Sequence, residues 1–297
     1  MKDIMRSSMA MRAIRTALNE DLSNADGLSG RKWLDATSAA LVPSGRTAEA
    51  VVYSKSDECV VSGATVAKAV VKTVDPRMRV RIGVLEGGLA KRGAPIIVFG
   101  GSVRAILAAE RTALNFMQRM CGIATLTRKF VNAVKRYGTM ILDTRKTTPG
   151  LRVFEKYAVL CGGGSNHRMG LYDRILIKDN HRRLWCGDAP DRLDEAVRAA
   201  RKAFPKLPVE VEVESIEECE SALKAEPEWI MLDNMSEEEM KKCVRICKGI
   251  SKTEASGGIT LERAKAVAAT GVTAISLGCL THSAGSIDLS LEWRTEK

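Results

Sequence analysis

From about residue 139 onward the chain repeats one pattern, a short apolar run, a polar or glycine break, and a helix-period segment. The runs "TMILDT", "YDRILIKD", "VEVEVE", "WIMLDN", "KTEASGG" and "TAISLG" read as strands. Most lead into amphipathic helices such as "DRLDEAVRAARKAF", "IEECESALKA", "SEEEMKKCVRICKG" and "LERAKAVAAT". A strand that returns to its sheet through a helix lies parallel to its predecessor, with a right-handed crossover. The number and regularity of these units favour a barrel, with an open doubly wound sheet as the alternative, since strand order is not written in the sequence.

The first hundred residues differ. "AEAVVYSK", "ECVVSG", "RMRVRIGVLEGG" and "APIIVFGG" alternate as strands, and "ATVAKAVVKTV" between them is helical, which together describe a small α+β domain. A long helical tract follows, "SVRAILAAERTALNFMQRMCGIATLTRKFVNAVKRYG", with an expected break near Gly122. The opening "MKDIMRSSMAMRAIRTALNEDL" is charged throughout and helical in period; it has neither a signal-peptide core nor a membrane span, so a soluble, cytoplasmic protein is expected.

With 297 residues, 45% of them hydrophobic, the chain can bury a substantial core. Its eight cysteines are scattered without a C-x-x-C pair, as reduced core residues of an intracellular protein would be. Cys243 and Cys247 are one helical turn apart, a spacing that suits small buried hydrophobes better than a metal site. The net charge of +10 raises the question of nucleic acid. Aromatics make up only 4%, however, and the cations stand singly or in pairs beside glycines and carboxylates, which points instead to small polyanionic ligands.

The C-terminal ends of the strands carry the chemistry. In chain order they present Asp143, Arg145 and Lys146; Lys178 and Asp179; Glu212 and Glu214; Asp233 and Asn234; Glu254 and Ser256; and Gly278. In a βα barrel this edge is the mouth, where side chains from different strands converge on a ligand. Polar residues also cap helices, so one such end carries little weight, but five in succession with both signs of charge mark a site. Ser256, Gly257 and Gly258 precede a helix, and Gly278 and His282 follow the last strand, the two loops on which barrels often seat a phosphate. No G-x-x-x-x-G-K-[ST] or G-x-G-x-x-G is present. Glu212 and Asp233, on adjacent strands, offer the few hard oxygens that suit Mg²⁺ shared with substrate phosphates; pairing with neighbouring lysines is the alternative, and the two roles can alternate. Glu210, Glu212 and Glu214 share one strand face, so only part of that set reaches a ligand. The three histidines have polar neighbours, which argues against core positions, and no zinc spacing is present. Arg111, Arg145 and Arg168, with His167 and the lysines, suit a substrate bearing two carboxylates, although sequence spacing does not bring Arg111 to the others.

The stretches "ERTALNFMQRMCGIATLT", "DTRKTTPGLR", "EKYAVLCGGGSNHRMGL", "ILIKDNH", "LDNM", "EASGGI" and "LTHSAGSIDLSLEW" closely resemble the carboxylating nicotinate-nucleotide pyrophosphorylases, or quinolinate phosphoribosyltransferases. The likeness runs from about residue 100 to the C-terminus. Residues 1–100 match in layout only, and the acidic "NEDLSNADGLSG" lacks the Gly-Asp-x-Thr associated with the family. The resemblance implies an α/β protein of the type II phosphoribosyltransferase kind. An N-terminal α+β sandwich over 1–115, rejoined by 283–297, would pack on an incomplete (β/α) barrel over 116–282. It implies a homodimer or higher assembly with the active site at the subunit interface, where Arg111 reaches quinolinate from the partner. Arg145, His167, Arg168 and Lys178 would bind the quinolinate carboxylates. Lys146 would contact 5-phosphoribosyl 1-pyrophosphate, Glu212 and Asp233 would hold Mg²⁺ and the ribose or pyrophosphate, and Ser256, Gly257, Gly258, Gly278 and His282 would receive phosphate. The implied products are nicotinate mononucleotide, pyrophosphate and CO₂. Two rivals stand beside this reading. A related transferase acting on nicotinate or another small acid would need one carboxylate grip, not two; a basic nucleic-acid-binding protein would show a steep salt dependence of binding.

Overall fold

The computed structural model describes residues 4–23, 33–186 and 192–294. The acidic stretch after residue 23 lies largely outside them. The chain divides into two compact units, one made of Met1–Arg128, Thr147–Gly163 and Leu280–Lys297, the other of Lys129–Lys146 and Gly164–Cys279.

The first unit contains α1 (Ser8–Leu22), α2 (Ala36–Leu41), β1 (Thr47–Ser54), β2 (Cys59–Val60), α3 (Ala64–Val74), β3 (Arg79–Ile82), β4 (Leu89–Ala90), β5 (Pro95–Ser102), most of α4 (Val103–Val134) and α5 (Arg152–Cys161). Near its C-terminal end lie α11 (Cys279–His282), which begins at the last residue of the second unit, and β12 (Leu289–Trp293). Its four-stranded sheet runs β12-β1-β5-β3, so the chain's last strand pairs antiparallel with its first, Ala50 opposite Trp293. Helix α1 buries Ala10, Ile14, Leu18 and Leu22, a stripe spaced by four residues. Helix α3 starts at Gly63 in the left-handed region (φ +94°), and the Glu86 carboxylate accepts the N–H groups of Gly63 (2.8 Å) and Thr65 (2.9 Å), an anion on the positive end of the helix dipole.

In the contact division residues 147–163 group with the first unit. Arg119 on α4 explains this: it donates to the buried Glu155 of α5 at 2.9 Å and to the carbonyls of Ala284 (2.7 Å) and Thr281. The expected break at Gly122 is absent, and α4 is one continuous helix. Gly122 serves close approach instead, since a Cβ there would lie 1.9 Å from the Gly285 carbonyl oxygen.

The second unit alternates β6 (Met140–Leu142), β7 (Ile175–Ile177), α6 (Asp179–Cys186), α7 (Leu193–Ala203), β8 (Val209–Val213), α8 (Ile216–Leu223), β9 (Trp229–Asp233), α9 (Glu237–Cys247), β10 (Lys252–Ser256), α10 (Leu261–Ala268) and β11 (Ala274–Ser276). Its six strands are parallel in the order β6-β11-β10-β9-β8-β7. Strands adjacent in sequence are paired from β7 to β11, while β6 pairs with the last strand. This is the order of a closed ring cut once, between β6 and β7, and therefore an incomplete barrel, not a doubly wound sheet. Every residue of β8 is buried; Val209, Val211 and Val213 alternate with Glu210 and Glu212, so one face of the strand carries only valine and the other carries charge.

Of the eight cysteines, Cys59, Cys121, Cys161, Cys219, Cys243 and Cys247 are buried and Cys279 is half-buried. Sγ of Cys219 lies 3.6 Å from that of Cys247, as thiols in a shared core. Among the described residues no helix is long and apolar enough to cross a membrane. The Gly122–Gly285 contact is directly testable. Gly122→Ala should destabilise the protein by about 1–3 kcal/mol or more through forced displacement of the 285 backbone, read as a lowered thermal midpoint; an unchanged midpoint would show that the approach is dispensable.

Candidate active site

The C-terminal ends of the second unit's strands bring together most of the charged residues singled out in the sequence. After β6 the chain turns through Asp143, Arg145 and Lys146. Asp143 is wholly buried and its Oδ1 accepts the His167 N–H at 2.9 Å, so it holds the chain. Arg145 is half-buried, and its Nε is buried with no acceptor among the described residues. A buried guanidinium N–H without a partner is costly unless an anion meets it. Lys146 is exposed, the following residue in a turn where its N–H meets Thr144 Oγ1 at 3.0 Å.

Arg168 is half-buried. Burial and the positive charge of nearby Arg145 hold its pKa below the usual arginine value, with Glu210 and Asp173 acting the other way. A guanidinium whose charge a neighbouring guanidinium disfavours marks a place prepared for an anion, and the planar forks of both match carboxylates. At the end of β7, Lys178 Nζ lies 2.7 Å from Glu212 Oε2 at the end of β8. Asp233 closes β9, half-buried, with Oδ2 accepting Asn234 Nδ2 at 2.8 Å.

Asn234 occupies the left-handed region (φ +55°), and its N–H reaches the Ser256 carbonyl at 3.1 Å. This presses the β9 and β10 loops together: a Cβ on Gly257 would lie 2.2 Å from Asn234 Oδ1, and Gly257 itself has φ +94°. Gly258 also has positive φ (+56°), with open space where a Cβ would stand. The loop leads to α10, whose Thr260 caps the helix by accepting the Arg263 N–H. The segment Ser256-Gly257-Gly258 is thus a bare-backbone turn before a helix N-terminus, suited to an anion. Gly278 precedes the four-residue α11, and His282, exposed at its end, has Nδ1 2.6 Å from Ser283 Oγ.

Two sequence expectations, on His167 and Glu254, are revised. His167 is buried despite its polar neighbours. Glu254 is an interior residue of β10, wholly buried, not a group at the mouth. Glu210 is wholly buried beside it, 3.0 Å from His167 Nε2 and 3.1 Å from Arg174 Nη1. Burial alone would raise Glu210, but His167 and Arg174 bring its carboxyl below the usual carboxylate value, whereas burial and the Glu210 charge push Glu254 well above it. Arg174, missed in the sequence, also lies over Trp229, 5.4 Å from the ring centroid. The only signal for this network was the glutamate alternation of "VEVEVE", which in an inward-facing strand demands buried cations.

Two of the candidate residues belong to the first unit. Arg111 is exposed on α4, in a cleft shared with Glu20, Asn115 and Arg119. His282 is the other.

Models of the quinolinate phosphoribosyltransferase C-terminal and N-terminal domains match residues 123–292 and 35–121. A nicotinate-nucleotide pyrophosphorylase (carboxylating) of Mycobacterium leprae is 41% identical over 284 residues, 94% of this chain and 95% of the relative. A probable enzyme of the same name from Bacillus subtilis is 41% identical over 247 residues, 83% of this chain and 84% of the relative. The solved nicotinate-nucleotide pyrophosphorylase of Francisella tularensis superposes with a TM-score of 0.86 at 36% identity, covering 96% of each chain. With both domain models matched in sequence and relatives 41% identical over most of its length, the chain belongs to the quinolinate phosphoribosyltransferase family.

Proposed function

We propose that this protein transfers the phosphoribosyl group of 5-phosphoribosyl 1-pyrophosphate to quinolinate with loss of CO₂, giving nicotinate mononucleotide and pyrophosphate, the step that feeds NAD synthesis. The observation that carries the reading is the pair Arg145 and Arg168, half-buried together, with a buried Nε on Arg145 that no described residue satisfies. A dicarboxylate supplies the missing acceptors. Lys178 adds a third cation, and its bond to Glu212 keeps both charges matched before substrate arrives.

Glu212 and Asp233 end adjacent strands with carboxylate oxygens only, a donor set that fits Mg²⁺ retaining water and substrate oxygens. When bound, the ion would neutralise charge on the departing pyrophosphate. The chain's own groups do the rest. Lys146, exposed one residue beyond Arg145, is offered to a phosphate of the donor, and Ser256, Gly257 and Gly258, with Gly278, offer backbone and side-chain donors to the 5-phosphate. The carboxylates steady positive charge developing on the ribose carbon. After the glycosidic bond forms, the C2–carboxylate bond breaks to release CO₂, and the electron pair left on C2, stabilised by the adjacent cationic ring nitrogen, takes up a proton from solvent. The basic pocket orients quinolinate, and a tighter hold on the departing carboxylate would oppose its loss.

Arg111 completes the grip in a homodimer, supplied by a second copy; its exposure on α4 supports a role outside its own unit's core. A cytoplasmic location rests on the scattered, mostly buried thiols.

Purified protein with Mg²⁺ and 5-phosphoribosyl 1-pyrophosphate should form nicotinate mononucleotide from quinolinate, with CO₂ released in equal amount, and little from nicotinate; product from nicotinate alone would refute the reading. Arg145→Ala should raise the quinolinate KM by about ten- to a hundredfold, the loss of a charged hydrogen bond worth ~1.5–3 kcal/mol, with a much smaller change in the donor's KM. Equal changes in both would reassign Arg145. Chelation by EDTA should abolish turnover, and added Mg²⁺ should restore it; turnover indifferent to the chelator would remove the metal from Glu212 and Asp233.

A further inference from the structure

We propose that Arg174 is a positioning residue for quinolinate: its side chain is clamped inside the second unit, and its carbonyl holds the guanidinium of Arg168, which meets the substrate. The inference deepens the activity proposed above and rests on it. Arg174 ends a tight loop that begins at Arg168 and runs straight into β7. Asp173 closes that loop, its Oδ2 accepting the Met169 N–H at 2.7 Å and its Oδ1 the Gly170 N–H at 3.1 Å. Arg168 reaches across the loop, and its Nη1 donates to the Arg174 carbonyl at 3.3 Å. Where the Arg174 backbone stands therefore decides where the Arg168 guanidinium points.

The Arg174 side chain fixes that backbone. It is 17% exposed, and its Nη1 donates to the wholly buried Glu210 at 3.1 Å. The guanidinium also lies over Trp229, the first residue of β9, 5.4 Å from the ring centroid. Nζ of Lys252, the first residue of β10, stands 5.3 Å from the same centroid, so one indole ring carries two cations. A planar guanidinium held by a carboxylate and by an aromatic ring keeps little rotamer freedom. The strands that hold it, β8 and β9, each have a neighbour on both sides in the sheet. Support thus runs from two interior strands through Arg174 to Arg168. The Arg174 guanidinium is engaged by Glu210 and Trp229, so its effect on the substrate passes through Arg168.

A double-mutant cycle in the full-length enzyme tests this. Arg174→Met keeps the length of the side chain and loses its charge and planar fork. Its kcat/KM for quinolinate at saturating donor should fall about tenfold, with the donor's KM within about twofold of wild type. Arg168→Ala should fall further, and adding Arg174→Met to it should change kcat/KM by less than about twofold, because the residue through which Arg174 acts is gone. Arg174→Lys, which keeps a cation beside Glu210, should recover part of the loss. Should Arg174→Met fail to fold, Trp229→Leu leaves Glu210 paired and takes its place in the cycle, with a fall of about fivefold that vanishes without Arg168. Losses that multiply in the double variant, or equal changes for both substrates, would overturn the proposal and leave Arg174 a structural partner of Glu210. That result in an enzyme that turns over quinolinate rejects this inference alone. A wild-type protein that neither binds nor consumes quinolinate rejects the activity proposed above, and this inference with it.

Discussion

Glu210 is a carboxylate taken wholly out of water inside a strand, and the second unit is built around keeping it paired. An isolated buried charge costs several kcal/mol, and removing one partner of a buried pair typically costs about 3–5 kcal/mol. Arg174 and His167 discharge that debt, and in doing so are themselves fixed. The Arg174 guanidinium is sandwiched between Glu210 and Trp229, and the His167 ring bridges Glu210 to the backbone of Arg168. Arg168 thus stands on a buried polar floor, its backbone N–H on the His167 ring and its guanidinium on the Arg174 carbonyl.

The strand ends divide into two classes with different physics. Asp143, Glu210 and Glu254 are wholly buried and bond within the chain or share its interior. Arg145, Lys146, Arg168, Lys178 and Asp233 retain exposure and are available to a ligand. Position along the strand decides the class: in β8 the glutamate two residues farther along, Glu212, is the one that meets Lys178. The opposed guanidiniums of Arg145 and Arg168 are tolerable because the floor supplies counter-charge at a distance; a bound dianion completes the balance.

Much of this was legible in the sequence. The strand–helix alternation after residue 139 gave six strands where six are found, because parallel strands covered on both faces are continuous apolar runs between helices of clear period. The ring order, with β6 beside β11, was not legible, since pairing between the first and last strand is a long-range fact. Gly122 misled because helix-breaking propensity and close packing call for the same residue. His167 misled because its neighbours Asn166 and Arg168 are polar, while its own surroundings come from β8 and β10, some forty to ninety residues later. Arg174 left no mark of its own; only the glutamate alternation of β8 implied a buried cation. The residues at the mouth were found because a charged side chain directly after an apolar strand is conspicuous, and their partition into floor and mouth required three dimensions.

The central claim is that the second unit's cations are arranged for two carboxylates on one small ring. Isothermal titration calorimetry of the protein with pyridine-2,3-dicarboxylate and with pyridine-3-carboxylate tests it without requiring turnover. The account predicts that the dicarboxylate binds at least about tenfold more tightly, ~1.4 kcal/mol, and that Arg168→Ala removes most of that preference. Equal affinity for the two acids, or a preference untouched by the loss of Arg168, would contradict it.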